Sequence, residues 1–222
     1  MSEKILNGTY KKCYTNGQLS EKRTYKNGKL DGPYETYYKN GQLFQKYSYK
    51  DGVKDGPYEE YDYDGMLHKK CTFKNGSEDG LCECYYSNGQ LWIKCTYKNG
   101  WKDGPYEEYY ENGQLLKKCT LKNGKLDGPY ERYYENGQLQ KKCTYKHGEL
   151  DGPYEEYDED GKLKIKYTYK NGKKVRTEET NPRHALAVAL NNLRHEFGYN
   201  ALKVAVHSKT VKAWREKVEN HR

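Results

Sequence analysis

Apolar side chains are scarce in this chain of 222 residues, of which 34% are hydrophobic, and 26 residues are tyrosines. Mean hydropathy is −1.30, and there are only 3 phenylalanines, 2 methionines and 6 prolines. The longest apolar run, Ala185 to Leu190, is far shorter than the roughly 20 residues that a membrane-spanning helix needs. These scarcities exclude a membrane span and a proline-rich coil. Because 14% of residues are aromatic, we expect a folded protein with a thin core rather than a disordered one.

Targeting signals are also missing from the sequence. The first residues, MSEKILNGTY, contain no apolar stretch of signal-peptide length. We therefore expect a soluble intracellular protein, cytoplasmic by default, and the sequence leaves the nucleus, a virion or a host cell open as locations.

An internal repeat dominates the sequence. The segment Asp-Gly-Pro-Tyr begins at five positions, and every step between them is a multiple of 24 residues. Seven units of 24 residues fill 7–174 without insertion or deletion, with the consensus DGPYEEYYENGQLxKKCTYKNGKL. Glycine recurs at the second, eleventh and twenty-second positions of the unit, and we interpret these glycines as turns. A fixed period of this length is typical of repeat arrays, in which each unit contacts only its neighbours.

Each unit predicts two short antiparallel strands. Asn-Gly between alternating segments is the strongest short hairpin signal, and it occurs at positions 10–11 and 21–22 of the unit. With two-residue loops at both sites, Tyr130 pairs with Cys143 and Tyr134 with Leu139 in the sixth unit. We expect a mainly β fold: an elongated single-layer antiparallel array of about fourteen strands, followed by a small helical C-terminal cap.

The same register places a glutamate opposite a lysine in six units. Opposite charges facing each other across two strands stabilise the pairing by about 0.2–1 kcal/mol each. A slip of one residue would break every pair and turn the tyrosines to the other face, so the pairs specify the register. The predicted pairs are Glu35–Lys46, Glu59–Lys70, Glu83–Lys94, Glu107–Lys118, Glu131–Lys142 and Glu155–Lys166.

The core G-x-Y-x-x-Y-Y-x-N-G-x-L of the unit resembles MORN repeats, particularly the variant type found in bacterial proteins and large DNA viruses. The resemblance covers residues 7–174 and recurs seven times. It implies an elongated, twisted array of β-hairpins. It also implies a scaffold or protein-binding module, with phospholipid binding proposed for some members of the family.

The seven cysteines are an odd number, and four of them share one repeat position. We interpret them as small buried residues of a reduced compartment, and we expect neither a metal site nor any other cofactor. The alternative is a thiolate cluster: Cys82 faces Cys95 across its hairpin, Cys84 lies beside them, and Cys71 belongs to the preceding unit. A Cys-x-Cys without a second close pair is a weak signal for zinc. A Cys82–Cys95 disulfide is a second alternative.

The sequence contains none of the G-x-S-x-G, P-loop or H-E-x-x-H motifs, and we expect a protein without enzymatic activity. An array exposes the same chemistry seven times, so specificity must come from positions that depart from the consensus. Such positions concentrate in units 3 and 4. Aromatic anchors such as tryptophan are enriched at interface hot spots. Our candidate protein-binding residues are Leu81, Trp92, Ile93 and Trp101.

The composition changes near Lys174. Residues 173–222 hold 11 Lys and Arg against 5 Asp and Glu, a net charge of +6. We divide the chain into a lead-in at 1–6, the repeats at 7–174 and a basic helical segment at 175–222. This segment either caps the open sheet edge or forms a helix-turn-helix that contacts DNA or RNA, mostly through phosphates. In the second case, the contacts would come from Lys203, Lys209, Lys212 and Arg215.

The sequence as a whole favours a non-enzymatic interaction module or scaffold whose partner is another protein. A homodimer contact through the tryptophans is left open. One alternative is a nucleic-acid-binding adaptor that docks through its tail. A second is a peripheral module on anionic membrane lipids, although the glutamates that face the lysines count against it.

Overall fold

The computed structural model describes residues 6–175, which form one open antiparallel sheet of 16 strands. Within this part of the chain there is no helix that is long and apolar enough to cross a bilayer. The strands are β1 (Gly8–Cys13), β2 (Leu19–Lys26), β3 (Lys29–Tyr37), β4 (Leu43–Lys50), β5 (Val53–Tyr61), β6 (Leu67–Lys74), β7 (Ser77–Glu78), β8 (Gly80–Tyr85), β9 (Leu91–Lys98), β10 (Trp101–Tyr109), β11 (Leu115–Lys122), β12 (Lys125–Tyr133), β13 (Leu139–Lys146), β14 (Glu149–Tyr157), β15 (Leu163–Lys170) and β16 (Lys173–Val175).

Strands that follow each other in the chain lie side by side in the sheet, except that β7 and β8 both pair with β6, so the array is the predicted meander. The mainly β fold is confirmed. There are sixteen strands rather than about fourteen, for two reasons. The strand that leads from unit 3 into unit 4 is interrupted at Asp79 and divides into β7 and β8, and a short strand, β16, follows the last repeat hairpin.

The two Asn-Gly sites of the unit form different turns. At the second site, Asn123 and Gly124 both have positive φ (49° and 77°), as in the two-residue turn that was predicted. At the first site the prediction of a two-residue loop is wrong. Tyr134 donates its N–H to the carbonyl of Gln138, and its own carbonyl accepts from the N–H of Gly137, which leaves three residues in the loop. Only the glycine of this loop has positive φ, at 82°.

The three-residue loop changes the pairing beside it. Leu139 pairs with Tyr133 and not with Tyr134, because a β-bulge shifts the register next to this loop. The predicted partners farther along the strands are correct, since Tyr130 pairs with Cys143. The hydroxyl of Tyr134 instead donates to the carbonyl of Tyr157 in the next unit, at 3.0 Å.

The glycine at the second position of the unit lies inside a strand and is not a turn, contrary to our interpretation. Gly128, in β12, has a φ of 118°, and a Cβ on it would lie 3.2 Å from Cβ of Thr120 on β11. A register shift accompanies this glycine on β11. The aspartate before it, Asp127, accepts the backbone N–H of His147 at the following two-residue turn. Units 2 to 7 thus use this aspartate to support the following turn, and unit 1 uses Asn7 in the same way.

The sheet has two broad faces. One carries the tyrosine–cysteine row, a single line of paired side chains that forms the buried core. Cys82 and Cys143 are the most buried members, each 2% exposed. The row consists of Tyr34, Tyr47, Tyr58, Cys71, Cys82, Cys95, Tyr106, Cys119, Tyr130, Cys143 and Tyr154.

The opposite face carries the lysine–glutamate ladder. All six predicted Glu–Lys pairs are register partners, from Glu35 and Lys46 to Glu155 and Lys166. Each glutamate also pairs with a lysine on its other side, as Glu131 does with Lys118. The charges therefore alternate without a break from one unit to the next.

Candidate functional site

Two of the candidate protein-binding residues lie on opposite faces of the sheet. Leu81 pairs with Thr96 and is 47% exposed, on the face of the lysine–glutamate ladder. Five of the other six units have proline at this position, and the first has Thr9. Ile93 pairs with Cys84 and packs, partly buried, against the core on the tyrosine–cysteine face. Ile93 therefore belongs with the core, whereas Leu81 offers its side chain to solvent.

The two tryptophans lie at opposite margins of the sheet. Trp92 is the extra residue of the β-bulge in β9, and its ring stacks obliquely on Tyr86 with centroids 5.7 Å apart. It borders a shallow groove of about 380 Å³ that His68 also lines. Trp101 is paired with Lys98 at the far end of β9, about 20 Å away along the strand. The structure therefore does not bring the four candidates into one compact patch.

Trp101 lies at the margin formed by the two-residue turns. Its side chain is 63% exposed. Its ring covers Gly124, because a Cβ added to that glycine would lie 3.4 Å from Cε3 of Trp101. Val53 occupies the same unit position two units earlier, covers Gly76 in the same way and is 45% exposed. Together with Leu81 they form the turn-margin patch on the ladder face.

The structure does bring together the cysteines that the sequence singled out. Cys82 is paired with Cys95 on β9, and the pairing of β6 with β8 places Cys71 on its other side. Cys84 follows two residues later on the same face, next to Cys82. All seven cysteines of the chain are free thiols in the structure. The thiol cluster is defined as Cys71, Cys82, Cys84 and Cys95.

The four thiols of the cluster differ from one another in acidity. Interactions with the thiols of Cys71 and Cys84 lower the pKa of Cys82, and interaction with Cys82 lowers the pKa of Cys95. Burial raises the pKa of Cys143, which has tyrosines as its row neighbours. Interaction with Cys82 raises the pKa of Cys71 and of Cys84. Within the cluster, the thiolate form, which binds metals, is therefore favoured at Cys82 and Cys95.

One member of this site was missed in the sequence. Glu78 lies on β7 beside the cluster, and its carboxylate oxygen is 3.8 Å from Sγ of Cys71. The oxygen also forms an ion pair with Nζ of Lys69, at 2.7 Å. Other units have leucine or lysine at this position, so the departure from the repeat was a visible signal. It was missed because it lies four residues before Cys82, across the boundary between two units.

The ligand atoms of Cys71, Glu78 and Cys82 lie within 4.8 Å of one another, close enough to hold one metal ion.

The remaining candidates are Lys203, Lys209, Lys212 and Arg215. They lie outside the described residues, as does all of the proposed helical segment except Val175. The structure therefore does not test the cap or the nucleic-acid contact.

No curated protein sequence matches this chain. The MORN repeat variant model matches it at seven consecutive segments, which begin every 24 residues in phase with the hairpins: 6–27, 30–51, 54–75, 78–99, 102–123, 126–147 and 150–171. These segments cover more than half of the chain, and MORN repeats are generally non-catalytic interaction or scaffold modules. The resemblance seen in the sequence is confirmed, and the chain belongs to the MORN repeat variant family.

Proposed function

We propose that this protein is a non-enzymatic scaffold that binds another protein across units 3 and 4. The observation that carries the proposal is where large apolar side chains are exposed. Five of the eight large apolar residues that are exposed in the described part of the chain lie between residues 53 and 101, four of them in units 3 and 4 and one, Val53, at the end of unit 2. These five are Val53, Tyr63, Met66, Leu81 and Trp101.

The two margins of these units offer different contacts. The turn-margin patch supplies apolar area on the ladder face, where charged side chains surround it. At the other margin, Trp92 borders the groove, and Met66 covers the turn glycine Gly89, with Cε 3.6 Å from an added Cβ. A central apolar anchor within a polar rim is the usual anatomy of a protein interface. A protein partner fits this mixture better than a membrane does, because the ladder places a glutamate beside every lysine.

The test compares partner capture by the full chain with capture by a Trp92→Gln/Trp101→Gln variant. We expect association to weaken by at least tenfold, about 1.4 kcal/mol, with nearly unchanged thermal stability. Leu163→Gln is the matched control, since Leu163 is exposed but lies in unit 7. The proposal requires one captured protein that the double variant loses and the control retains.

Two other outcomes would contradict the proposal. Unchanged capture by the double tryptophan variant would show that these residues are structural. If replacement of Lys209, Lys212 and Arg215 by glutamine abolishes association while the tryptophan variant does not, the tail carries the binding. Loss that follows nuclease treatment would then identify a nucleic acid as the partner. Sedimentation of the purified parent and the double variant would reveal a homodimer contact.

A further inference from the structure

We propose that the junction of units 3 and 4 contains a binding site for one thiophilic divalent cation of the zinc class, held by Cys71, Cys82 and Glu78. The three ligands come from β6, β8 and β7, respectively. Cys84 and Cys95 adjoin Cys82 and border the site. The site lies in the middle of the array, outside the surfaces proposed above for the protein partner.

The first argument is that several departures from the repeat converge on this point. Cys82 stands where each of the other six units has tyrosine, and Cys84 is the only cysteine at its unit position. At the last two positions of the seven units, glutamate occurs only as Glu78 and Glu149. Of these two, Glu78 is the one that lies next to cysteines. A neutral substitution at one position would change one side chain. It would not place both a carboxylate and an additional thiol next to Cys71. Cysteine and carboxylate together are ordinary ligands of zinc.

The second argument is geometric. A tetrahedral zinc ion bonds sulfur at about 2.3 Å, which separates two ligand sulfurs by about 3.8 Å. The ligand atoms of Cys71, Glu78 and Cys82 lie within 4.8 Å of one another, so shifts of side chains suffice to close the site. Cys71 and Cys82 are 6% and 2% exposed, which shields the bonds from water. The strand interruption at Asp79 separates Glu78 from Cys82, and an ion would tie its two sides together.

The third argument is charge balance. Cys71 and Cys82 each release a proton to solvent as their sulfur–metal bonds form, because the thiolate is the form that binds metals. Two thiolates and a carboxylate carry three negative charges, and a divalent ion neutralises two of them. The ammonium group of Lys69, 2.7 Å from the Glu78 carboxylate, neutralises the third. A neutral assembly avoids the large cost of leaving an unpaired charge in a buried place.

The experiment is titration of the reduced, metal-free full chain with Zn²⁺, followed by calorimetry and by competition with a chromophoric chelator. We expect one equivalent to bind, and Cd²⁺ to produce sulfur-to-metal charge-transfer absorption. A hundredfold excess of free Zn²⁺ over Kd should raise Tm by about 5 °C. Cys82→Tyr and Glu78→Leu should weaken binding by at least tenfold. Both variants introduce a residue that other units carry at the same position, which keeps the fold intact.

The matched control is Cys143→Ser, because Cys143 is as buried as Cys82 but has no cysteine neighbour in its row. It should bind Zn²⁺ as the parent does. A parent that takes up no Zn²⁺ at micromolar concentration overturns the proposal, and so does Cys82→Tyr binding with parental affinity. A third contrary result is a count of five free thiols in denatured, unreduced protein, with no Zn²⁺ uptake after reduction. That result would assign the cluster to a disulfide.

Discussion

Lys118 forms its ion pair with Glu131 of the following repeat unit, with Nζ 2.8 Å from the carboxylate. Its partner within its own hairpin is Glu107, which instead accepts the hydroxyl of Tyr109 at 2.7 Å. The same choice recurs along the ladder, where Lys70 forms its ion pair with Glu83 of the following unit at 2.6 Å, although Glu59 faces it within its own hairpin. The charges therefore join neighbouring units to each other as well as the two strands of one hairpin.

A double-mutant cycle on Lys118 and Glu131 should measure this junction. With Lys118 48% exposed, we expect a coupling of about 0.5 kcal/mol that shrinks as salt is added. The pair of Lys142 with Glu131, at 3.8 Å, is the control and should couple less. Equal coupling of Glu131 to both lysines in urea unfolding would contradict a preference for the junction.

The two Asn-Gly sites should respond differently to the same substitution. Asn136→Gly should cost about 1 kcal/mol, because its side chain accepts the N–H of Gln138 at 2.9 Å and donates to the carbonyl of Glu159 at 3.1 Å. Asn123→Gly should change stability by less than about 0.5 kcal/mol, because glycine tolerates positive φ and keeps the backbone bond to Asp103. Thermal unfolding of the two variants compares them, and equal losses would refute the assignment of two turn types.

Alanine substitutions at two glycines inside the strands should separate the cost of steric crowding from the cost of backbone strain. Gly128 and Gly80 have similar positive φ, 118° and 104°, so alanine is strained at both by about 1–3 kcal/mol. An added Cβ would lie 3.2 Å from Thr120 at the first site but 3.9 Å from Thr72 at the second. Gly128→Ala should therefore be the more destabilising by about 1 kcal/mol in denaturant unfolding. If Gly80→Ala costs as much, crowding contributes nothing.

The protein should lose stability in alkali between about pH 10 and pH 12. Burial raises the pKa of Tyr47 to about 12. Burial, followed by the hydrogen bond to Glu107, does the same for Tyr109. A phenol in the unfolded chain titrates near pH 10. Because the folded-state pKa is the higher one, these tyrosines stabilise the fold fully below pH 10, and the contribution is lost as the pH rises to 12.

Phenolate absorbance and circular dichroism recorded together against pH test this. Ionisation of the buried tyrosines should coincide with loss of the β signal. Gradual ionisation of most tyrosines near pH 10 with an intact sheet would contradict it.

Much of this fold could be read from the sequence because the information is local and repeated. Asn123-Gly124 specifies its turn through the φ values that these residues tolerate. The alternation of Tyr130 and Glu131 specifies opposite faces, and a recurring error in register would be penalised in every unit. The same physics predicted Cys82 opposite Cys95, because direct pairing within one hairpin follows from the turn.

The rest was decided by contacts between units, which a single-unit pattern does not encode. Two Asn-Gly sequences form different loops because Asn136 and Tyr134 bond to carbonyls of the next unit, whereas Asn123 is supported by an aspartate of its own unit. Glu78 lies next to the thiol cluster because β7 pairs with β6. The spacing of Glu78 from Cys71 and Cys82 in the sequence matches no known motif. The sequence by itself determined the strands, their order and their two faces. Only the tertiary structure decided which side chains reach across unit boundaries. These contacts depend on where the β-bulges form, and the packing of neighbouring strands determines those positions.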